Sequence, residues 1–494
     1  MSVRIRVAAH PIREYVSYNF VGVAVLARRE LARQTRFSAR HGFWMKRTFC
    51  IPAFLAALAL LPFAAPAAAQ TGISQAREFV PHELIVKVEG APPRTLRLPR
   101  GAGVGATARA LGDNARVEYA APNYVATASA VPQPFRFPND PGNITGSAEA
   151  ASFPGDWTLK QWNFLPWAQQ PGSRVPASPG GINAVEAWEN VATAGRRGAR
   201  GVVIAVLDTG VAYRSQGERF LRSPDFGPGQ FIEGYDFVDD DRVPLDENGH
   251  GTHVAGTIGE KTDNGTGLTG LAYGAKLMPV RVLDAQGRGD AAAITKGIRY
   301  ATANGAQVIN LSFNFGCGKG VPSVNEALRN AAEQGVVVVA SVGNLGAETC
   351  VSPPATGPRV IGVGGSTEGG CLGNYSLAGR MVDLLAPGGG TPIAGCPSIS
   401  ARPIYQVTLK PGTTNLFGVP ANYVGTSMAA AHVSGAAALV IASGSVPGKA
   451  KGKDRIDLLR RKLTATARLL PSLTERQQGS GLIDVGAATA PRTG

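Results

Sequence analysis

The chain has 494 residues, 44% hydrophobic and 17% charged, a composition that excludes a disordered chain and predicts a folded protein of more than one domain. Its formal net charge is +14, but residues 1–69 alone carry 10 Lys and Arg against 2 Asp and Glu. The rest of the basic excess is thinly spread and forms no Lys/Arg stripe interleaved with aromatic residues. We therefore expect no nucleic-acid partner.

Residues 1–69 have the features of a leader that contains a secretory signal peptide. Met45 is followed by two basic residues, an apolar run over 49–63 and a stretch of small residues that includes Ala67 and Ala69. This order of charged start, apolar centre and Ala-x-Ala motif predicts export, and Met45 is the expected start. A transmembrane anchor is the alternative, but the apolar run is too short for one. The mature protein is expected to be secreted, extracellular or periplasmic in transit, and free of the membrane.

Residues 70–130 form a small segment with two predicted strands, at 83–88 and 116–119, and a short helix at 105–111. So few elements bury little apolar surface by themselves, which suggests a piece that folds against a partner. The next segment, 131–180, is rich in Pro, Gly and Trp and is expected to be a linker and an irregular N-terminal arm.

From residue 181 to 494, apolar strands alternate with helical stretches. Val202–Leu207 is apolar at every position, as in a central parallel strand covered on both faces. This alternation predicts an α/β fold with a doubly wound, mostly parallel central sheet and helices on both faces. Further strands are expected at 277–282, 307–311, 336–340 and 360–364, with helices at 291–304, 323–334 and 454–465.

Three residues at predicted strand or helix ends carry complementary chemistry. Asp208 directly follows the first strand, His250 opens His-Gly-Thr-His-Val-Ala-Gly, and Ser427 lies in Gly-Thr-Ser-Met-Ala ahead of an apolar helix. Each alone has a structural explanation: a turn cap, a hydrogen-bonded core histidine or a helix N-cap. Together they supply a hydroxyl nucleophile, a base that takes its proton and an acid that orients the base.

Asn344 supplies a fourth element. It follows the strand at 336–340 in a short loop, Ser-Val-Gly-Asn. There its side-chain amide can donate to a developing oxyanion beside the backbone N–H of Ser427 at a helix N-terminus. The structural alternative is a turn residue.

At these residues the sequence resembles the subtilisin family. The similar segments are Asp-Thr-Gly-Val at 208, His-Gly-Thr-His-Val-Ala-Gly-Thr at 250, Gly-Thr-Ser-Met-Ala at 425 and Gly-Asn at 343. The resemblance covers residues 180–490 and extends to 83–130, which is similar to a subtilisin propeptide.

The resemblance implies a secreted serine endopeptidase that acts on protein or peptide substrates through an acyl-enzyme. Ser427 would be the nucleophile, His250 the general base and then acid, Asp208 the orienting carboxylate and Asn344 the oxyanion donor. It also implies a monomer without a catalytic cofactor. The protein's own propeptide, residues 70–130, would act as an intramolecular chaperone and inhibitor that the enzyme removes itself.

The substrate-binding segment departs from the family pattern. Where the family has Ser-Leu-Gly-Gly, this chain has Ser312, Phe313, Asn314 and Phe315, and Gly343 is a further candidate substrate-binding residue. Side chains replace glycines where a substrate backbone should lie close. A catalytically inactive or specialised subtilisin-like protein with a narrowed cleft is therefore the alternative function.

Cysteine spacing indicates disulfides rather than a metal site. Cys50 lies in the signal peptide, and the four others have no zinc-ligand spacing and allow three pairings. Because the family fold should make the strands before Cys317 and Cys350 neighbours, we expect these two to pair. Cys371 and Cys396 would then form the second bridge.

A structural calcium ion is the one metal that the sequence suggests. Asp236, Asp239 and Asp241 lie within six residues, and clustered carboxylates suit Ca²⁺. The stretch is similar to a calcium loop of thermitase-like subtilisins, although Val243 and Leu245 replace polar ligands. A solvated acidic loop is the alternative.

Other enzyme classes fit less well. An α/β-hydrolase needs Gly-x-Ser-x-Gly with its histidine last, whereas here His250 precedes Ser427 and the motif ends in Ala429. A zinc metalloprotease needs His-Glu-x-x-His, which the segment at His250–His253 lacks.

Overall fold

The computed structural model describes residues 79–99, 101–124, 137–144, 155–346, 350–447 and 450–491. The predicted leader and signal peptide, including Met45 and Cys50, lie outside these residues, as do residues 125–136 after the predicted propeptide strands. The chain divides into two units, Met1–Thr127 and Ala128–Gly494, close to the boundary predicted at residue 130.

The described part of the first unit is a small α+β fold. Its three strands form an antiparallel sheet in the order β2-β1-β3, and one helix, Val104–Gly112, packs on it. The buried apolar cluster of this unit consists of Leu84, Val104 and Ala108. Such a small core contributes little to stability, as its sequence predicts. The strands are β1 (Phe79–Val88), β2 (Arg94–Arg97) and β3 (Val117–Tyr124).

The second unit contains a seven-stranded sheet, and all of its strand pairs are parallel. The strand order is β10-β9-β8-β7-β4-β6-β5, so the order reverses direction next to β4. The predicted doubly wound parallel sheet is thereby confirmed. Its strands are β4 (Val203–Asp208), β5 (Tyr235–Asp236), β6 (Lys276–Arg281), β7 (Val308–Leu311), β8 (Val337–Ser341), β9 (Ile361–Ser366) and β10 (Leu384–Pro387).

Helices cover both faces of this sheet because its central strands are apolar on both sides. In β4, Ile204 and Val206 enter one core, while Ala205 and Leu207 enter the other. The first core packs against helices Ala184–Thr193, His250–Gly259, Thr426–Ser443 and Gly452–Ala465, and the second against Ala291–Ala303 and Pro322–Glu333. The short elements are helices Trp157–Lys160, Glu475–Gln478 and Val485–Thr489, a 3₁₀ turn at Trp162–Phe164, and the hairpin strands β11 (Thr408–Leu409) and β12 (Phe417–Gly418).

The segment expected to be a linker and irregular arm contributes to the main core. Trp157, Trp162 and Phe164 are fully buried, and Trp157 packs edge-to-face on Trp188 with ring centroids 5.7 Å apart. The indole N–H of Trp162 donates to the carbonyl oxygen of Pro403, 3.0 Å away. Large aromatic side chains bury enough area to fix a Gly- and Pro-rich segment in place. Residues 155–180 are therefore part of the folded unit.

The helix Thr426–Ser443, here called the Ser helix, runs through the middle of the first core. Its mean hydropathy of 1.4 and its 18 residues meet the criteria for a membrane span, but 89% of it is buried inside the protein. A helix that is apolar all round belongs in the interior of a large domain. Its burial fixes the position of the N-terminus that carries Ser427.

The four cysteines within the described residues form two disulfides, Cys317–Cys350 and Cys371–Cys396. These are the two pairs expected from the sequence. The first bridge joins the segment after β7 to the segment after β8, which are adjacent parallel strands.

Candidate active site

Asp208 is the last residue of the central strand β4, at the carboxyl edge of the sheet. Its side chain is fully buried. Oδ1 accepts a hydrogen bond from the backbone N–H of Thr209 at 2.8 Å and another from His250 Nδ1 at 2.7 Å. In open α/β sheets, functional groups collect at this edge, beside the point where the strand order reverses.

His250 opens the helix His250–Gly259, here called the His helix. The helix packs closely on the end of β4 because Gly251 has no side chain: a Cβ there would clash with the carbonyl oxygen of Gly210. The preceding Gly249 has φ 101°, in the left-handed region that favours glycine. These glycines bring the His250 ring against Asp208 and leave its side chain 25% exposed.

The environment of His250 favours its protonated form. Burial lowers the pKa of His250, but the charge of Asp208, its hydrogen bond and the charge of Asp246 outweigh burial and raise that pKa above its ordinary value. An imidazole in this position takes up a proton readily during a reaction. It also keeps its Nδ1–H on Asp208, which leaves Nε2 for the cleft.

Ser427 lies in the first turn of the Ser helix, with 8% of its surface exposed. Its hydroxyl donates to the carbonyl oxygen of Ser312 at 3.0 Å, and the Ser312 hydroxyl donates in return to the carbonyl oxygen of Ser427 at 2.8 Å. The Ser427 proton therefore points at Ser312 in this structure. Ser427 and His250 line the same cleft.

Asn344 lies over the N-terminus of the Ser helix. Its Oδ1 accepts from the backbone N–H of Thr426 at 2.9 Å and from the Thr426 hydroxyl at 2.8 Å. Gly425 permits this close approach, since a Cβ there would lie 3.0 Å from Asn344 Nδ2. Because the oxygen is engaged by Thr426, the amide NH₂ is the group left for a ligand in the cleft.

The cleft holds about 570 Å³ and is open to solvent. Besides His250, Asn344 and Ser427, it is lined by the predicted substrate-binding residues Ser312, Phe313, Asn314 and Gly343. Asn314 Nδ2 donates to the carbonyl oxygen of Ser341 at 2.5 Å, and the Ser341 hydroxyl donates to Asn314 Oδ1 at 3.2 Å. These hydrogen bonds connect the ends of β7 and β8 across the floor of the cleft.

Comparison with known proteins decides the family, because residues 199–481 match the Subtilase family, more than half of the chain. The chain belongs to this family. The thermophilic serine proteinase of Bacillus sp. (strain AK1) is 34% identical over 341 residues, or 69% of this chain and 67% of that protein. An extracellular protease of Xanthomonas campestris pv. campestris is 32% identical over 346 residues, covering 62% of this chain and 53% of that protein.

Comparison with solved structures agrees with this family assignment. A solved structure of proteases from Pseudoalteromonas arctica PAMC 21717 matches with a TM-score of 0.54 and 28% identity, covering 71% of this chain and 98% of that one. The chain is a serine endopeptidase, as its sequence predicts.

Two residues of this subtilase site were not predicted from its sequence. Thr426 positions Asn344 through two hydrogen bonds, and Asp246 bonds to the loop before His250. A signal for Asp246 exists in hindsight: it is the first residue of Asp-Glu-Asn-Gly, which leads directly into His250.

The two other described histidines near the cleft are structural. His253 Nε2 donates to the carbonyl oxygen of Ile404, and His432 Nδ1 donates to that of Met428. Burial lowers the pKa of His253 to about 3 and that of His432 to about 4. Both rings are therefore neutral near pH 7 and do not compete with His250 for a proton.

The carboxylates of the acidic loop, where the sequence suggests calcium, accept hydrogen bonds from within the protein. Asp236 Oδ2 and Asp239 Oδ2 accept from Arg281 Nη1 at 2.9 and 2.5 Å, while Asp241 Oδ1 accepts from the backbone N–H of Val243. Among the described residues, no group of three or more His, Cys, Asp or Glu could hold a metal. A buried guanidinium, supplied by β6, is thus the charged partner of two of these three carboxylates.

Replacing Arg281 with Met should lower the free energy of unfolding by about 3–5 kcal/mol, because the buried Asp236 would lose its charged partner. The matched control is Arg299→Met, whose exposed pair with Glu326 should be worth less than about 1 kcal/mol. Urea unfolding of both variants in a Ser427→Ala background avoids autolysis. Equal losses in the two variants would contradict a stabilising role for the Arg281–Asp236 pair.

Proposed function

We propose that this subtilase cleaves peptide bonds through an acyl-enzyme formed on Ser427, with His250 as general base and acid and Asp208 as the orienting carboxylate. The observation that carries the proposal is the 2.7 Å hydrogen bond from His250 Nδ1 to a buried Asp208, in a cleft also lined by Ser427 and Asn344. The motifs at these positions match the signature segments of the family.

In the first step, the Ser427 hydroxyl turns from Ser312 O towards His250 and attacks the scissile carbonyl carbon. The proton passes from Oγ to Nε2, and the new C–O bond gives a tetrahedral oxyanion. Asp208 holds the ring in the tautomer that leaves Nε2 free to accept. The same carboxylate stabilises the imidazolium, since His250 then carries a positive charge next to a buried negative one.

The oxyanion would be held by two donors at the N-terminus of the Ser helix. One is the amide NH₂ of Asn344, whose oxygen is engaged by Thr426. The other is the backbone N–H of Ser427, which lies in the first turn, where N–H groups have no intrahelical acceptor. His250 then gives its proton to the leaving amine, and the C–N bond breaks.

Water completes the cycle in the same site. His250 takes a proton from water, the hydroxide attacks the acyl carbon, and the Ser427–acyl bond breaks as the proton returns to Oγ. Every proton in the cycle is carried by His250 or by water, so the mechanism requires no cofactor. Its substrates are proteins or peptides whose backbone can lie along the open cleft.

A specialised substrate range is the second candidate function, and one observation favours it. Asn314 and Ser341 fill part of the cleft floor with mutually hydrogen-bonded side chains. This bridge replaces the open floor that a glycine at residue 314 would leave. An intact set of Asp208, His250, Ser427 and Asn344 favours an active enzyme with a narrowed cleft over an inactive one.

We also propose that the enzyme is secreted as a monomeric precursor and processes itself. The leader sequence supports export, and one of the relatives is an extracellular protease. The small unit that contains residues 79–124 has the size and composition of a removable propeptide. The connecting residues 125–130 are mostly small, which suits a first substrate.

The precursor carrying Ser427→Ala should fold but remain uncut near residues 125–137, because no acyl-enzyme can form. Ser434→Ala is the matched control, since Ser434 is a buried serine on the same helix that bonds to Asn310. Purified, refolded precursors are followed by intact mass and then assayed on casein. Maturation and casein cleavage by the Ser427→Ala precursor at the control rate would refute the proposed nucleophile.

Removing the Asn344 donor should lower kcat roughly a hundred- to a thousandfold with little change in KM, the range known for loss of such a donor in a subtilisin. Asn344→Asp is the control for helix structure: it keeps the acceptor for Thr426 but places a negative charge at the oxyanion. It should be at least as slow as Asn344→Ala. Steady-state casein kinetics that left kcat within a few-fold of wild type in both variants would exclude the assigned role.

A further inference from the structure

Asp246 is a buried carboxylate in the loop before the His helix, and it takes no part in the proton transfers described above. It is 1% exposed and accepts five hydrogen bonds. Oδ1 accepts from the Thr209 hydroxyl and from the backbone N–H groups of Asn248 and Gly249, each at 2.9 Å. Oδ2 accepts from Thr252 twice, from its N–H at 2.9 Å and from its hydroxyl at 2.6 Å.

These five donors belong to the two segments that carry Asp208 and His250. Thr209 directly follows Asp208, while Gly249 and Thr252 flank His250 in the chain. Thr209 also accepts from the backbone N–H of Gly251 at 2.9 Å, which adds a second connection between the two segments. A displacement of either segment therefore breaks hydrogen bonds to a buried carboxylate, which is costly.

The hydrogen-bond partners of Asp246 are those of an ionised carboxylate. The Thr209 and Thr252 hydroxyl oxygens each accept a backbone N–H, from Gly251 and Ala212 respectively, so their own protons point to Asp246. All five partners are thus donors, and a carboxylate is the form that only accepts. Burial raises the pKa of Asp246 above its ordinary value, although the hydrogen bonds from Thr252, Gly249 and Asn248 oppose that rise.

We propose that Asp246 is a positioning residue of the active site: it fixes His250 against Asp208, and its negative charge stabilises His250 in the protonated form. The inference rests on the proposed function, because it assigns Asp246 a role in the reaction that His250 carries out. It adds a second buried carboxylate, beyond Asp208, to the groups that set the basicity of the imidazole.

The other ionisable groups around His250 do not supply this charge. His253, on the same helix, and Tyr423, whose ring stacks on His253, are both neutral, since burial lowers the pKa of His253 and raises that of Tyr423. Glu247 is ion-paired with Arg281 and Arg219. Among the described residues, the charges that raise the pKa of His250 are those of Asp208 and Asp246.

The test is the pH dependence of kcat/KM in Asp246→Asn, which keeps the side-chain volume but removes the charge and one acceptor. The acid limb of this profile reports the pKa of His250 in the free enzyme. Without the Asp246 charge, the protonated form is less stable, so the acid limb should move to lower pH by roughly half a unit or more. The plateau kcat should fall at least tenfold because the His250–Asp208 geometry loosens.

Asp484→Asn is the matched control. Asp484 is a buried carboxylate that accepts from Trp167 Nε1, Asn183 Nδ2 and the backbone N–H of Ala487, none of which lines the cleft. Its loss should lower stability but leave the acid limb and the plateau kcat unchanged. Equal shifts in both variants, or an unshifted acid limb in Asp246→Asn, would overturn the proposal.

Thr252→Val provides a second test of the positioning role if Asp246→Asn does not fold. It keeps the Asp246 charge and removes its shortest hydrogen bond, so the plateau kcat should fall several-fold while the acid limb stays at or above the wild-type pH. An unchanged plateau kcat, or an acid limb moved to lower pH, would refute the positioning role. Wild-type enzyme that does not cleave casein would instead refute the proposed function, so the two failures are distinguishable.

Discussion

The hydrogen bond between His250 and Asp208 depends on how closely a helix N-terminus can approach the end of a buried strand. Asp208 is fixed by the register of β4 between β6 and β7, in the middle of the sheet. The His helix reaches it only because Gly251 leaves room for the carbonyl oxygen of Gly210. The positions of Asp208 and His250 relative to each other therefore follow from how closely the backbone segments pack.

Several buried charges lie at the same edge of the sheet, and each is compensated in a different way. Asp208 is balanced by an imidazole that can become a cation, and Asp246 is surrounded by donors without a counter-ion. Asp236 pairs with the guanidinium of Arg281, which is the register partner of both Asp208 and Asp236. Buried polar groups that share hydrogen bonds hold one another in place, because breaking such a bond leaves a buried donor or acceptor without that partner.

Much of the fold could be predicted because its signals are local. The apolar run at 202–207 and the motifs at Asp208, His250 and Ser427 are each short continuous segments, and β4 begins and ends within one residue of its prediction. The pairing of Asp236 with Arg281 could not be predicted for the opposite reason: Arg281 lies 45 residues further along the chain. Trp157 and Trp162 were placed in an arm since a Pro- and Gly-rich segment gives no periodic signal of burial.

The proposed mechanism requires the cleft to activate one hydroxyl, that of Ser427. The most direct measurement is labelling of the purified enzyme with an organophosphonate serine probe, followed by intact mass and peptide mapping. We predict a single adduct on the peptide that contains Ser427, and no adduct after His250→Ala, because the hydroxyl would lose its base. An adduct on any other serine, or undiminished labelling of the His250→Ala enzyme, would contradict it.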